Sequence, residues 1–233
     1  MELTLHTGEL ILFQGDSITH AFRKPDEIGT SYQMGAGYAM LIAAKLQAER
    51  PELLLRYENR GICGDRLREM ALRWQQDCLD LRPDIVSILI GVVDTLRTME
   101  DGSGAPLDDF ERTYRRLLAR TQDELPDIRL VLVEPFLLPC GTITPAHLAD
   151  LRLRQRAIQR IAEDYGVIFV PLQAALEAAA AETGPEYWLF DGIHPNAPAQ
   201  WLIAREWLSA TGLLGDLAFD LPSGVMSSRI SLS

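Results

Sequence analysis

The chain has 233 residues, 47% of them hydrophobic and 24% charged, with a formal net charge of −11. That length suits one domain around a sizeable core, because single cores stop growing only at about 250–300 residues, and the composition is that of neither a disordered nor a membrane protein. The acidic balance argues against nucleic acid or an anionic membrane as partner, since a phosphate-binding surface concentrates Lys and Arg.

No basic segment followed by an apolar run opens the chain, so no secretory signal is expected and the cytoplasm is the default location. A first strand is predicted at Leu10 to Phe13, leading into Gly15-Asp16-Ser17, and a second at Leu53 to Tyr57, leading into Asn59-Arg60-Gly61-Ile62-Cys63-Gly64-Asp65. Leu67, Met70, Trp74, Cys78 and Leu81 then recur at steps of three or four, the stripe of a helix lying on a sheet. A third strand, Ile85 to Ile90, leads into Gly91-Val92-Val93-Asp94; the apolar run Ile85 to Val93 is too short to cross a bilayer. Phe110, Tyr114, Leu117 and Thr121 mark the next helix, Leu130 to Val133 a fourth strand, and Leu151, Ile158, Ile161 and Tyr165 another helical face. Val167 to Val170 is the fifth strand and Ala199 to Ala210 the last helix. Pro83, Pro126 and Pro171 stand beside strand candidates, where a helix cannot continue through them. Periodicity is lost over 213–233, a tail expected either to fray or to pack on a neighbouring subunit of a homo-oligomer.

Strands alternating with helices predict an α/β fold of three layers, with a flavodoxin-like sheet of five parallel strands in the order 2-1-3-4-5. Ligands of such sheets bind outside the carboxyl ends of the strands, and each loop motif above falls there. Ser17, at a tight strand-to-helix turn, reads either as a nucleophile or as a plain helix cap. Thr19 stands where a Gly-x-Ser-x-Gly elbow has its second glycine, which argues against the α/β-hydrolase fold. Asp191 and His194 lie three residues apart; the carboxylate can accept the Nδ1 proton and leave Nε2 facing Ser17, or the two residues can serve only the local turn before Pro195. His20 is a second candidate base. Cys63, Cys78 and Cys140 are scattered and suggest neither a disulfide framework nor a zinc site; Cys78 reads as helix core and Cys63 as a small buried hydrophobe.

Three ordered blocks, Leu12-Phe13-Gln14-Gly15-Asp16-Ser17-Ile18-Thr19, Asn59-x-Gly61-x-x-Gly64-Asp65 and Asp191-x-x-His194-Pro195, together resemble the SGNH hydrolases, or GDSL esterases and lipases, over residues 8–212 of a single hydrolase domain (1–212). The resemblance implies a serine esterase: Ser17 the nucleophile, His194 the base, Asp191 its orienting carboxylate, the backbone N–H groups of Ser17 and Gly64 the oxyanion hole, and no metal or organic cofactor. Gly35-Ala36-Gly37-Tyr38, Glu134-Pro135-Phe136 and Tyr187 to Pro195 are similar to small carbohydrate esterases of the acetylxylan esterase type, which implies a small ester substrate such as an acetylated sugar. Asp16, Leu96, Tyr187 and Trp188 are the expected substrate-binding residues. Tyr32, Tyr38 and Phe136 are further aromatics expected near the mouth, and Arg97 is expected as an ion-pair partner. One departure stands out. The family's Gly-x-Asn-Asp is here Gly91-Val92-Val93-Asp94, and Val93 cannot supply the asparagine's hydrogen bond, so the chain is expected to be either an esterase with an incomplete oxyanion hole or a binding protein that has lost turnover.

Overall fold

The computed structural model describes residues 2–27 and 29–215. Its sheet contains β1 (Leu10–Gly15), β2 (Arg56–Asn59), β3 (Ile85–Leu89), β4 (Arg129–Val133) and β5 (Ile168–Val170), all parallel and ordered β2-β1-β3-β4-β5. The expected architecture is therefore the observed one. The helices are α1 (Ser17–His20), α2 (Tyr38–Glu49), α3 (Leu67–Leu72), α4 (Trp74–Asp77), α5 (Val92–Glu100), α6 (Leu107–Glu124), α7 (Pro145–Tyr165), α8 (Gln173–Thr183), α9 (Pro185–Trp188) and α10 (Ala197–Ala210).

Successive strand side chains point to opposite faces, and the sequence supplies an apolar residue for both. Ile11, Phe13, Ile85, Leu89, Val131 and Val133 join one core beneath α2, α8 and α10. Leu12, Val86, Ile88, Leu130 and Leu132 join the other, with α3, α4, α6 and the Ile158, Ile161 and Ala162 face of α7. Burial on both faces is why these strands read as continuous apolar runs rather than alternating ones. Each core holds a fully buried tryptophan whose N–H is satisfied: Trp207 donates to Ser87 Oγ at 3.0 Å and Trp74 to Thr121 Oγ1 at 2.9 Å.

Two expected elements are displaced. The second strand is Arg56–Asn59 rather than Leu53 to Tyr57: Leu53 closes a 3₁₀ turn (Pro51–Leu53) and Leu54 sits at φ +48°. Among the described residues only β1 flanks this edge strand, so its sequence is polar and the apolar run marks the turn before it. The stripe from Leu67 to Leu81 is not one helix either. It breaks at Arg73 (φ −96°, ψ 2°) into α3, α4 and a 3₁₀ turn (Leu79–Leu81), although Leu67, Met70, Trp74 and Cys78 all remain buried. Of the expected C-terminal tail, 216–233 lies outside the described residues. Among the described residues no helix is long and apolar enough to cross a membrane.

Candidate active site

Because the strands are parallel, the loops after β1, β2 and β3 leave from the same rim. Strand β1 ends at Gly15, where a Cβ would collide with the Thr19 hydroxyl and the Leu89 carbonyl oxygen, so only glycine permits the sharp turn into α1. Asp16 caps that helix, its Oδ1 accepting the Ile18 N–H at 2.9 Å. Its carboxyl is 1% exposed and Oδ2 has no partner among the described residues. Burial pushes it up to about 7 against the pull of the Ile18 N–H and His194, with Asp94 and Asp65 adding to the rise.

Next to it, Ser17 Oγ lies 3.0 Å from His194 Nε2, and His194 Nδ1 lies 2.6 Å from Asp191 Oδ2. The other oxygen of Asp191 accepts the backbone N–H groups of Ile193 and His194 at 2.9 and 2.7 Å. Burial would raise Asp191, but the bonds from the His194 backbone, the His194 ring and the Ile193 backbone outweigh it and hold the carboxyl below its usual range. A proton on Nδ1, facing that carboxylate, leaves Nε2 to accept from the serine hydroxyl. The turn is wedged in place at Gly192 (φ +86°), where a Cβ would stand 2.6–2.8 Å from Cys140 O, Ile143 Cγ1 and Leu138 O.

The loop after β2 forms the facing wall. Buried Asn59 donates through Nδ2 to the carbonyls of Thr19 and Met34 at 2.7 and 2.8 Å and accepts the Gly61 N–H at 2.9 Å. Gly64 (φ +80°) lines the cleft with nothing within 4 Å of where a Cβ would sit. Helix α5, entered through Gly91 (φ +127°), provides a third wall. Val93, Leu96, Arg97 and Glu100 line the cleft at i, i+3, i+4 and i+7, the spacing of one helical face. Arg97 pairs with Glu100 at 2.9 Å. Asp94 accepts the Leu67 N–H at 3.0 Å, and its burial pushes it up to about 6. The cleft, half open to solvent, measures about 640 Å³ and is mostly apolar in lining.

The structure thus brings Ser17, His194, Gly64, Val93 and Leu96 to one cleft, with Asp191 behind His194 on its Nδ1 side. Asp16 lies behind Ser17, buried, and cannot meet a ligand directly. Tyr187 and Trp188 do not line the cleft: both sit on α9, packed edge to face, with the Trp188 N–H spent on Thr183 Oγ1 at 2.8 Å. Tyr38 is buried on the Thr19 hydroxyl, Phe136 is core, and Tyr32 is exposed under Lys24. The cleft's aromatics are instead Phe190, stacked on the His194 ring (centroids 5.8 Å, 18°), and Phe22, 89% exposed at φ +59°. Adjacency to Asp191 was the signal available for Phe190; Phe22 had none. Cys63 is exposed on the cleft wall rather than buried, while Cys78 is core. His20 also lines the cleft, but its Nδ1 takes the Phe22 N–H at 3.2 Å and the Ser17 hydroxyl is bonded to His194. Among the described residues no group of three or more His, Cys, Asp or Glu could hold a metal ion.

A profile of the GDSL-like lipase/acylhydrolase family matches residues 13–202. The chain belongs to that family. It is a carboxylic ester hydrolase of the GDSL type. An acetylxylan esterase of Geobacillus stearothermophilus is 32% identical over 215 residues, covering 90% of this chain and 97% of the relative. The crystal structure of that bacterium's acetylxylan esterase superposes with a TM-score of 0.82 at 31% identity, over 90% of this chain and 97% of the other. A putative GDSL-like lipase from Parabacteroides merdae superposes with a TM-score of 0.88 at 35% identity, over 91% of this chain and all of the other. The resemblance of the three sequence blocks to GDSL hydrolases is therefore shown across nearly the whole chain.

Proposed function

We propose that this GDSL hydrolase removes short acyl groups, chiefly acetyl, from small esters such as acetylated sugars, through an acyl-enzyme on Ser17. The observation that carries the mechanism is the unbroken relay of short contacts from Ser17 Oγ to His194 (3.0 Å) and on to Asp191 (2.6 Å). His194 takes the hydroxyl proton as Ser17 Oγ attacks the ester carbonyl carbon, then returns it to the departing alcohol. Water, deprotonated by the same imidazole, releases the acid and restores the serine. The N–H groups of Ser17 and Gly64 receive the oxyanion. Val93 adds no donor, and a missing donor of this kind costs about 2.7–4 kcal/mol of transition-state stabilisation.

The acetyl-sugar substrate is supported by the likeness to the Geobacillus acetylxylan esterase. Solved variants of that enzyme described as catalytic mutants replace a serine and an aspartate by alanine. A binding protein without turnover is not favoured, because a chain relieved of catalysis has no need to keep the relay. Hydrolysis of 4-nitrophenyl acetate and acetate release from acetylated xylo-oligosaccharides, each with Ser17→Ala as control, test the reading. Equal rates for wild type and Ser17→Ala would sink the mechanism; activity on the nitrophenyl ester alone would remove the sugar substrate.

A further inference from the structure

We propose that Arg73 is a positioning residue that sets the separation of the two oxyanion N–H groups, those of Ser17 and Gly64; this rests on the role given to those groups above. Arg73 stands at the break between α3 and α4, its side chain only 14% exposed. Its guanidinium donates from Nε to Asp65 Oδ2 at 2.7 Å, from Nη1 to Gln14 Oε1 at 2.9 Å and Asp77 Oδ2 at 3.1 Å, and from Nη2 to the Gly15 carbonyl at 3.4 Å. Asp65 directly follows Gly64, and Gln14 and Gly15 directly precede Asp16-Ser17. One rigid fork therefore grips the chain beside each of the two donors.

Other contacts hold the β2 loop at its two ends; at the far end the Leu67 N–H donates to Asp94 Oδ2 at 3.0 Å and Arg66 Nη1 to the Ser103 carbonyl at 2.8 Å. The near end of the β2 loop is fixed by Asn59 and by the Ile62 N–H donated to Gly15 O at 3.0 Å. Past Ile62 the loop turns back on itself, Asp65 N–H to Ile62 O at 3.2 Å, and the site where Gly64 would carry a Cβ is open. Between those ends, the side-chain contact nearest Gly64 is the grip of Arg73 on the carboxylate of its neighbour Asp65. With Val93 contributing no hydrogen bond, the oxyanion depends on two donors, and a shift of one is not absorbed by a third. A planar fork with several fixed N–H directions can span these acceptors simultaneously, whereas a lysine ammonium cannot.

The test compares Arg73→Lys, Arg73→Ala and Asp65→Asn with wild type on 4-nitrophenyl acetate. Misplacement of a reacting group by about 1 Å can cost about a hundredfold, so kcat is expected to fall by about ten- to a hundredfold in the Arg73 variants, with KM within about threefold. Affinity for a boronic acid that forms a tetrahedral adduct on Ser17 is expected to fall in parallel, while inhibition by acetate stays constant. Guanidinium ion added at millimolar concentration is expected to raise kcat of Arg73→Ala and leave wild type unchanged. Arg129→Ala, which removes an ion pair with Glu9 at the opposite rim, is expected to keep wild-type kcat. Should Arg73→Ala not fold, Arg73→Lys and Asp65→Asn give the same readouts. Near-wild-type kcat in the Arg73 variants, or a fall in kcat without matching loss of boronic acid affinity, overturns the proposal. If Ser17→Ala is as active as wild type, the mechanism above fails instead; if it is dead and Arg73→Lys is normal, only the positioning role fails.

Discussion

On the proposed base side of the cleft, His194 lies 2.6 Å from Asp191 and 3.0 Å from Ser17, whereas on the proposed oxyanion side no described atom lies within 4 Å of where Gly64 would carry a Cβ and Val93 presents two methyl groups. The difference follows from how each is encoded. Three residues of one turn build the base, and a single carboxylate holds both its ring and its backbone. The oxyanion side is gathered from loops far apart in the chain, after β1, β2 and β3, so its alignment depends on intermediaries such as Asn59. A short local device is self-sufficient; a distributed one depends on the scaffold.

The sharpest way to break the contrast is on the self-sufficient side. Asp191→Asn keeps the shape of the turn but favours the wrong histidine tautomer, and kcat on 4-nitrophenyl acetate is expected to fall by about ten-thousandfold; a loss under tenfold would mean the carboxylate does not orient the base. The oxyanion side should respond in the other direction. Val93→Asn restores an amide beside the cleft, and kcat is expected to rise by about ten- to a hundredfold with KM little changed; unchanged or lower turnover would show that position 93 cannot reach the oxyanion.

The last effect concerns Asp16, beneath both sides, and is read in stability rather than turnover. Its carboxyl sits near 3.8 when unfolded and about 7 when folded, so the folded state binds more protons between those values. Stability from this group is full below about pH 4 and is lost as pH rises through 7. Asp16→Asn cannot ionise yet keeps an oxygen for the Ile18 N–H. Its urea-unfolding free energy relative to wild type is expected to rise by on the order of a few kcal/mol between pH 4 and pH 8.5. A difference that stays flat with pH would show that the carboxyl titrates normally in the fold.

The sheet order and the meeting of Asp191 and His194 with Ser17 were legible because their signals are local or strongly repeated. The central strands are buried on both faces and so carry uninterrupted apolar runs, and Asp191 and His194 share one turn. β2 was misplaced because an edge strand needs little apolar sequence, and Leu53 and Leu54 carried the apolar signal into a turn. The helical stripe through Trp74 hid the break at Arg73 because its residues are buried on both sides of it. The cleft's aromatics were the least readable. Tyr187 and Trp188 lie close to Asp191 in sequence, but α9 carries them away, whereas Phe190 follows that helix and reaches the imidazole.

Helix α5 gives one face to two tasks. Val93, at its first turn, stands at the proposed gap in oxyanion support, and Leu96, Arg97 and Glu100, on the same face, line the same cleft. On the proposed roles, selection for a new ester would operate on the same few positions that set speed. A lineage adapting to a bulkier substrate would find its accessible substitutions entangled with turnover, and recovering one trait would tend to proceed through compensating changes in the other.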